Sequence, residues 1–203
     1  MTGSRHWSEV DYVVIDVEGN GARPPELVEL GVVAVSDGVV GPVRSWLVRP
    51  SAPITWQARR IHGISDADAA GAPVFEDIAG EVSDVLGDAI PVGHNVGVDL
   101  DVMRRALPGW RPAVAVDTLR LARRTWSLPS YRLGALVEHR QLDKNLPAHL
   151  RPHRAGYDAL VTARLLVDLA TTGAPGGVPA AALLRDAGAA GAARDEQPAL
   201  FDL

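Results

Sequence analysis

The apolar positions of this chain change period along its length. Residues 11–17, Asp-Tyr-Val-Val-Ile-Asp-Val, are a β-branched run stopped by Gly19-Asn20-Gly21, which predicts a strand and then a turn. Two further runs, 27–35 and 39–48, flank Ser36-Asp37-Gly38 and predict two strands joined by a tight antiparallel hairpin. The period then lengthens. Val74, Ile78, Val82, Val85 and Leu86 recur at helical spacing, followed by a brief strand at 89–92. A helix is expected from near Asp99 to about Ala106 and a short buried strand at 113–116. Asp117-Thr118 caps a helix to Arg124, and another helix runs from Tyr131 to about His139. After an irregular stretch to Pro152, Leu160, Ala163, Leu166 and Val167 mark the inward side of a long helix over about 155–170.

Three strands followed by alternating helices and strands predict an α/β fold, a mixed sheet of three antiparallel and then parallel strands, flanked by helices on both faces. At 203 residues there is room for one well-buried core. Residues 1–171 are expected to form that domain, and 172–203 a flexible linker and tail. The Gly- and Pro-rich stretch 172–195 is the linker, with a short helix available to the alanines of 179–190. There are no internal repeats.

Composition narrows the chemistry. With no cysteine, thiolate metal sites, disulfides and a cysteine nucleophile are excluded. No apolar run approaches the roughly 18 to 20 residues of a membrane span, and the first residues lack the apolar stretch of an export signal, so a cytoplasmic location is expected. The net charge of −5 hides an uneven distribution. Between Arg104 and Arg154 eleven basic residues face three acids, and such a basic stretch suits a polyanionic substrate.

The acids themselves are placed for metal chemistry. Asp16 and Glu18 are two apart on a strand and so project to one side. Asp99 and Asp158 fall near helix starts, and His153 precedes Asp158 by five residues. Four carboxylates suit a pair of hard divalent ions, Mg²⁺ or Mn²⁺, about 3.5 to 4 Å apart, the arrangement that hydrolyses phosphodiesters. A histidine titrating near neutrality is suited to taking the proton from the attacking water. His149 and His153 have the spacing of a helical zinc pair, but Pro152 breaks a helix there. Neither a nucleophile elbow, a phosphate-binding Walker loop nor a dinucleotide fingerprint is present. Five tryptophans, Trp7, Trp46, Trp56, Trp110 and Trp126, are available for packing or for stacking on bases.

In this order the motifs resemble those of the DEDDh 3′-to-5′ exonucleases, of ribonuclease H-like fold. The resemblance covers about residues 11–170. It is carried by Asp16-Val17-Glu18 with Leu27-Val28-Glu29-Leu30-Gly31, by His94-Asn95-Val96-Gly97-Val98-Asp99, and by His153 to Asp158. Accessory stretches at Ile61-His62-Gly63-Ile64, Asp117-Thr118-Leu119 and Leu133-Gly134-Ala135-Leu136 lie between them.

The resemblance implies that Asp16, Glu18, Asp99 and Asp158 bind two metal ions and that His153 is the general base. It places Gly19, Asn20, His62, Gly63, Ile64 and Asn95 around the terminal nucleotide. The implied substrate is a single-stranded nucleic-acid 3′ end, with nucleoside 5′-monophosphates released in DNA proofreading or repair. Gly19-Asn20-Gly21 stands where the family usually has Thr after the first-motif Glu, and Val98 where it usually has Phe. An oligoribonuclease-like enzyme on short RNA and a non-catalytic recruited module remain the alternatives. Finally, Gln197, Leu200 and Phe201 resemble the Gln-x-x-Leu-Phe peptide with which bacterial proteins bind the replication sliding clamp, a candidate partner contact at the end of the tail.

Overall fold

The computed structural model describes residues 5–172 and 177–184. Its strands β1 (Tyr12–Gly19), β2 (Leu27–Ser36), β3 (Val39–Leu47), β4 (Ile90–Gly93) and β5 (Val116–Asp117) form one sheet in the order β3-β2-β1-β4-β5. The first three are antiparallel neighbours, and β4 and β5 continue the sheet in parallel. This is the mixed α/β architecture expected. Asp37 and Gly38, both at positive φ, make the tight β2–β3 turn.

The helices are α1 (Trp56–His62), α2 (Asp66–Ala69), α3 (Phe75–Leu86), α4 (Gly97–Ala106), α5 (Thr118–Thr125), α6 (Leu133–Arg140), α7 (Ala155–Thr171) and α8 (Ala180–Leu184). Strand alternation sorts them onto two faces. Tyr12 and Val14 of β1 pack with residues of α5, α6 and α7, whereas Val13, Ile15 and Val17 pack with residues of α3 and α4. α7 is apolar nearly all round because it is covered nearly all round: it lies across β1, β2 and β3 and meets α5 and α6. Of its expected inward residues, Leu160, Ala163 and Leu166 are buried and Val167 is half-buried.

Several elements depart from expectation. α1 and α2 have no apolar stripe to announce them, since α1 buries only Ala58 and His62. Their legible signals are caps: Thr55 at the start of α1, left-handed Gly63 at its end, and a Ser65/Asp68 capping box on α2. β5 spans two residues where 113–116 was expected: the ladder with β4 begins only at Val116, and Ala113 and Val114 are exposed.

The expected linker is also packed where it is described. The Val178 N–H donates to Ala170 O (3.0 Å), the Trp7 N–H donates to Val178 O (3.1 Å) and the Ala180 N–H donates to Arg5 O (2.9 Å). Leu183 of α8 is buried in the same cluster as Trp7. Apolar side chains and backbone pairing thus hold 177–184 on the domain. Gln197, Leu200 and Phe201 lie outside the described residues. Among those residues no helix is long and apolar enough to cross a membrane.

Candidate active site

The face of β1 that begins as Tyr12 and Val14 continues, at the same two-residue spacing, as Asp16 and Glu18. It turns from apolar to acidic where α7 begins overhead, and Asp158 lies in the first turn of α7. Carboxylate oxygens of Asp16, Glu18 and Asp158 lie within 4.8 Å of one another. Asp99 approaches from the first turn of α4, and its Oδ1 accepts the Val17 N–H at 3.1 Å, between the two strand acids. Four acids widely separated in sequence therefore converge on the end of β1.

Their electrostatics follow from that crowding. Burial is the largest cause in each case. It lifts Asp16 well above the usual carboxylate range, with Asp158, Asp99 and Glu18 adding their charges. Glu18 is pushed up to about 9 by burial and by Asp158, Glu29 and Asp99, with Arg154 pulling the other way. Asp99 rises to about 8 despite the Val17 N–H, and Asp158 to about 7 despite a hydrogen bond from the His153 backbone. The donor set fits divalent cations: only hard carboxylate oxygens, close together, in a place that penalises uncompensated negative charge.

A second set of residues positions these acids. Glu29 faces Glu18 across the β1–β2 ladder and is buried. It accepts hydrogen bonds from Arg154 Nε (2.9 Å) and Nη2, and from the Ala155 N–H (2.9 Å), fastening the first residues of α7 to β2. Gly31 permits that fit, because a Cβ there would stand 2.0 Å from Ala155 O. On the other side, Asp117 Oδ1 accepts the N–H groups of Asn95 (3.0 Å) and Leu119 (2.9 Å). The His94 ring bonds to Thr118 Oγ1 (3.0 Å) and Tyr131 O (2.8 Å), fixing the turn that leads into α4. Glu29 and Arg154 fall inside the motif stretches at 27–31 and 153–158, but the resemblance gave neither a role. The available signal was an acid in an otherwise apolar strand, which needs a buried partner.

The expected nucleotide-binding residues divide. Asn20 is fully buried, its Oδ1 accepting from Ala22 and Glu26 (3.0 Å each) and its Nδ2 donating to Ala52 O (3.3 Å). His62 is also buried: Nδ1 accepts the Ile64 N–H (3.0 Å), which leaves Nε2–H to donate to Gly19 O (3.3 Å). Burial lowers its pKa, in keeping with that neutral form. Ile64 is 2% exposed, and Gly19 is buried against Pro25. The side chains of Asn20, His62 and Ile64 are thus committed to holding the loops at the end of β1. Gly63 is exposed and Asn95 half-buried. His153 is exposed at positive φ, its backbone bonded to Asp158.

A cavity of about 800 Å³ is lined by the β1–β2 loop together with Arg49 and Arg105. None of the four acids borders it, and the chemistry of the donor set favours the carboxylate cluster as the site.

The model of the family described as Exonuclease matches residues 13–166. Exodeoxyribonuclease 10 of Escherichia coli strain K12 is 38% identical over 159 residues, covering 78% of this chain and 68% of that protein. DNA polymerase III subunit epsilon of Aquifex aeolicus is 30% identical over 165 residues, covering 78% of this chain and 79% of that protein. Among solved structures, one described as Exonuclease X in complex with 5′ overhanging duplex DNA superposes with a TM-score of 0.72 at 35% identity, over 87% of this chain and 99% of that one.

Proposed function

This chain belongs to the exonuclease family and is a 3′-to-5′ exonuclease, and on that premise we propose that it uses two divalent ions, Mg²⁺ or Mn²⁺, to release nucleoside 5′-monophosphates from single-stranded 3′ ends in DNA proofreading or repair. The observation that carries this reading is the convergence of Asp16, Glu18 and Asp158, with Asp99 bonded to β1 between the two strand acids.

Asp16, Glu18, Asp99 and Asp158 hold the ions. When bound, divalent ions there supply Lewis acidity to the phosphoryl oxygens, an activated water and a counter-charge for the leaving 3′ oxygen. His153, exposed beside Asp158, accepts the proton of the attacking water on an imidazole nitrogen. Glu29 and Arg154 keep Asp158 and the His153 loop in register with β1. Gly63 and Asn95 border the terminal nucleotide, and the buried Asn20 and His62 keep the loops around it in shape.

A time course on 5′-labelled single-stranded DNA, single-stranded RNA and a dinucleotide, with Mg²⁺ or Mn²⁺, tests the proposal. Shortening from the 3′ end that is absent in Asp16→Ala supports it, and faster turnover of short RNA than of DNA would move the substrate class. The absence of any metal-dependent product would overturn it. The tail residues Gln197, Leu200 and Phe201 are proposed as a sliding-clamp contact. A pulldown of clamp that Phe201→Ala leaves unchanged removes that part alone.

A further inference from the structure

α1 is tied at both ends to the chain where β1 runs out. At its start the Thr55 N–H donates to Asn20 O (2.8 Å). At its end His62 Nε2–H donates to Gly19 O (3.3 Å), one residue beyond Glu18. The face turned to the β1–β2 loop carries Ala58 and His62, both buried. A Cβ on Gly21 would stand 3.1 Å from the Ala58 Cβ and 2.1 Å from Thr55 Oγ1, so this packing has no slack.

The opposite face carries Trp56 and Arg60, four apart and therefore adjacent on one side of the helix. Trp56 is 64% exposed, and the Arg60 guanidinium lies 4.8 Å from the centre of its ring. Arg59 beside them and Arg151 on the neighbouring loop are also exposed. Arg151 Nη2 stands 3.8 Å from where a Cβ on Gly63 would be, so the His153 loop meets the end of α1 nearest the acids. A path from the carboxylates outward thus passes Gly63 and Arg151, then Arg59 and Arg60, and reaches Trp56 about 10 Å farther along the helix.

We propose that Trp56 and Arg60 form a contact surface for the single strand upstream of the 3′-terminal nucleotide, the indole stacking on a base and the guanidinium meeting a phosphate. The inference rests on the single-stranded substrate proposed above. An exposed ring with cations around it, on a helix whose far end is anchored next to the acid cluster, has the two components that sequence-tolerant strand binding needs: a π face and positive charge. Because the contact lies off the scissile end, it governs affinity for longer strands and leaves the chemical step alone.

The test compares the full-length wild-type chain with Trp56→Ala, Trp56→Phe and Arg60→Ala. KM and kcat are measured on a dodecamer oligothymidylate and on a thymidine dinucleotide, with binding of the labelled dodecamer in Ca²⁺ followed by anisotropy. In Trp56→Ala the dodecamer KM and Kd rise about tenfold with kcat unchanged, the dinucleotide is unaffected, and Trp56→Phe restores most of the affinity. In Arg60→Ala the slope of log affinity against log salt falls by about 0.7. A Trp56→Ala protein with wild-type melting temperature and wild-type dodecamer affinity overturns the proposal, as does an equal loss on both substrates. If wild-type protein binds the dodecamer and hydrolyses neither substrate, the catalytic proposal fails, and the anisotropy still decides this one.

Discussion

Glu18 and Glu29 are register partners on adjacent strands, yet their surroundings give them different work. Glu29 is paired with Arg154 and accepts the Ala155 N–H, whereas Glu18 faces Asp16 and Asp158 and, among the described residues, forms no ion pair of its own. Glu29→Gln keeps an acceptor for Ala155 but loses the ion pair, so kcat is expected to fall by about 10- to 100-fold, as when the support of a metal ligand is removed. Steady-state kinetics at saturating Mn²⁺ check this, and an unchanged kcat would mean that the pair serves folding alone. His153→Ala is expected to lower kcat by about 10²- to 10⁴-fold while calorimetric Mn²⁺ binding stays as in wild type. Full activity of that variant across neutral pH would pass the base role to another group.

At the scale of elements, the placement of α7 decides whether Asp158 meets β1. Its first turn rests on β2 at Gly31, and Gly156 in turn passes 3.1 Å from Val43 on β3 as measured from the place of a Cβ. Gly31→Ala forces Ala155 away, so a loss of about 1 to 3 kcal/mol in urea unfolding is expected, together with lost turnover. Gly80→Ala is the control: nothing lies within 4 Å of its Cβ position on α3, and it should stabilise by up to about 1 kcal/mol. α1 shows the limit of periodic reading. A seven-residue helix with one buried i, i+4 pair, one member of it a histidine, leaves no apolar stripe, and its caps alone betray it.

For the whole molecule, the acid cluster links stability to pH and to metal. The folded-state pKa of Glu18 lies near 9 against an ordinary 4.5, and those of Asp99 and Asp158 lie near 8 and 7. Through that window the metal-free folded chain binds more protons than the unfolded chain, so its stability is expected to fall as pH rises. Divalent ions bind the deprotonated acids, and the Tm gained on adding Mn²⁺ should grow over the same window. Thermal melts at about pH 5 and about pH 8, with and without Mn²⁺, check both signs. A metal-free Tm that climbs with pH in wild type, or a slope unaltered in Glu18→Gln, would contradict them. The packed segment makes a separate prediction: Leu183→Ala should cost about 2 kcal/mol or more, with kcat unchanged, if 177–184 belongs to the folded domain.

Periodicity and residue type are local properties, so the five strands, the helices from α3 onward and the four candidate acids could be picked out from the chain alone, whereas α1 and α2 could not. The sequence by itself also determined that Asp16 and Glu18 share a side, since strand geometry alone requires that. Tertiary structure decided what depends on partners distant along the chain. Glu29 became an anchor for α7 only because Arg154, 125 residues away, packs beside it. Asn20, His62 and Ile64 turned inward because the loops at the end of β1 bury them, and Trp56 was left outside because α1 buries its other face. Residues 177–184, within the Gly- and Pro-rich stretch read as a linker, were drawn onto the domain by the apolar surface around Trp7. Burial and long-range contact are sums over the whole fold, which no window of sequence contains.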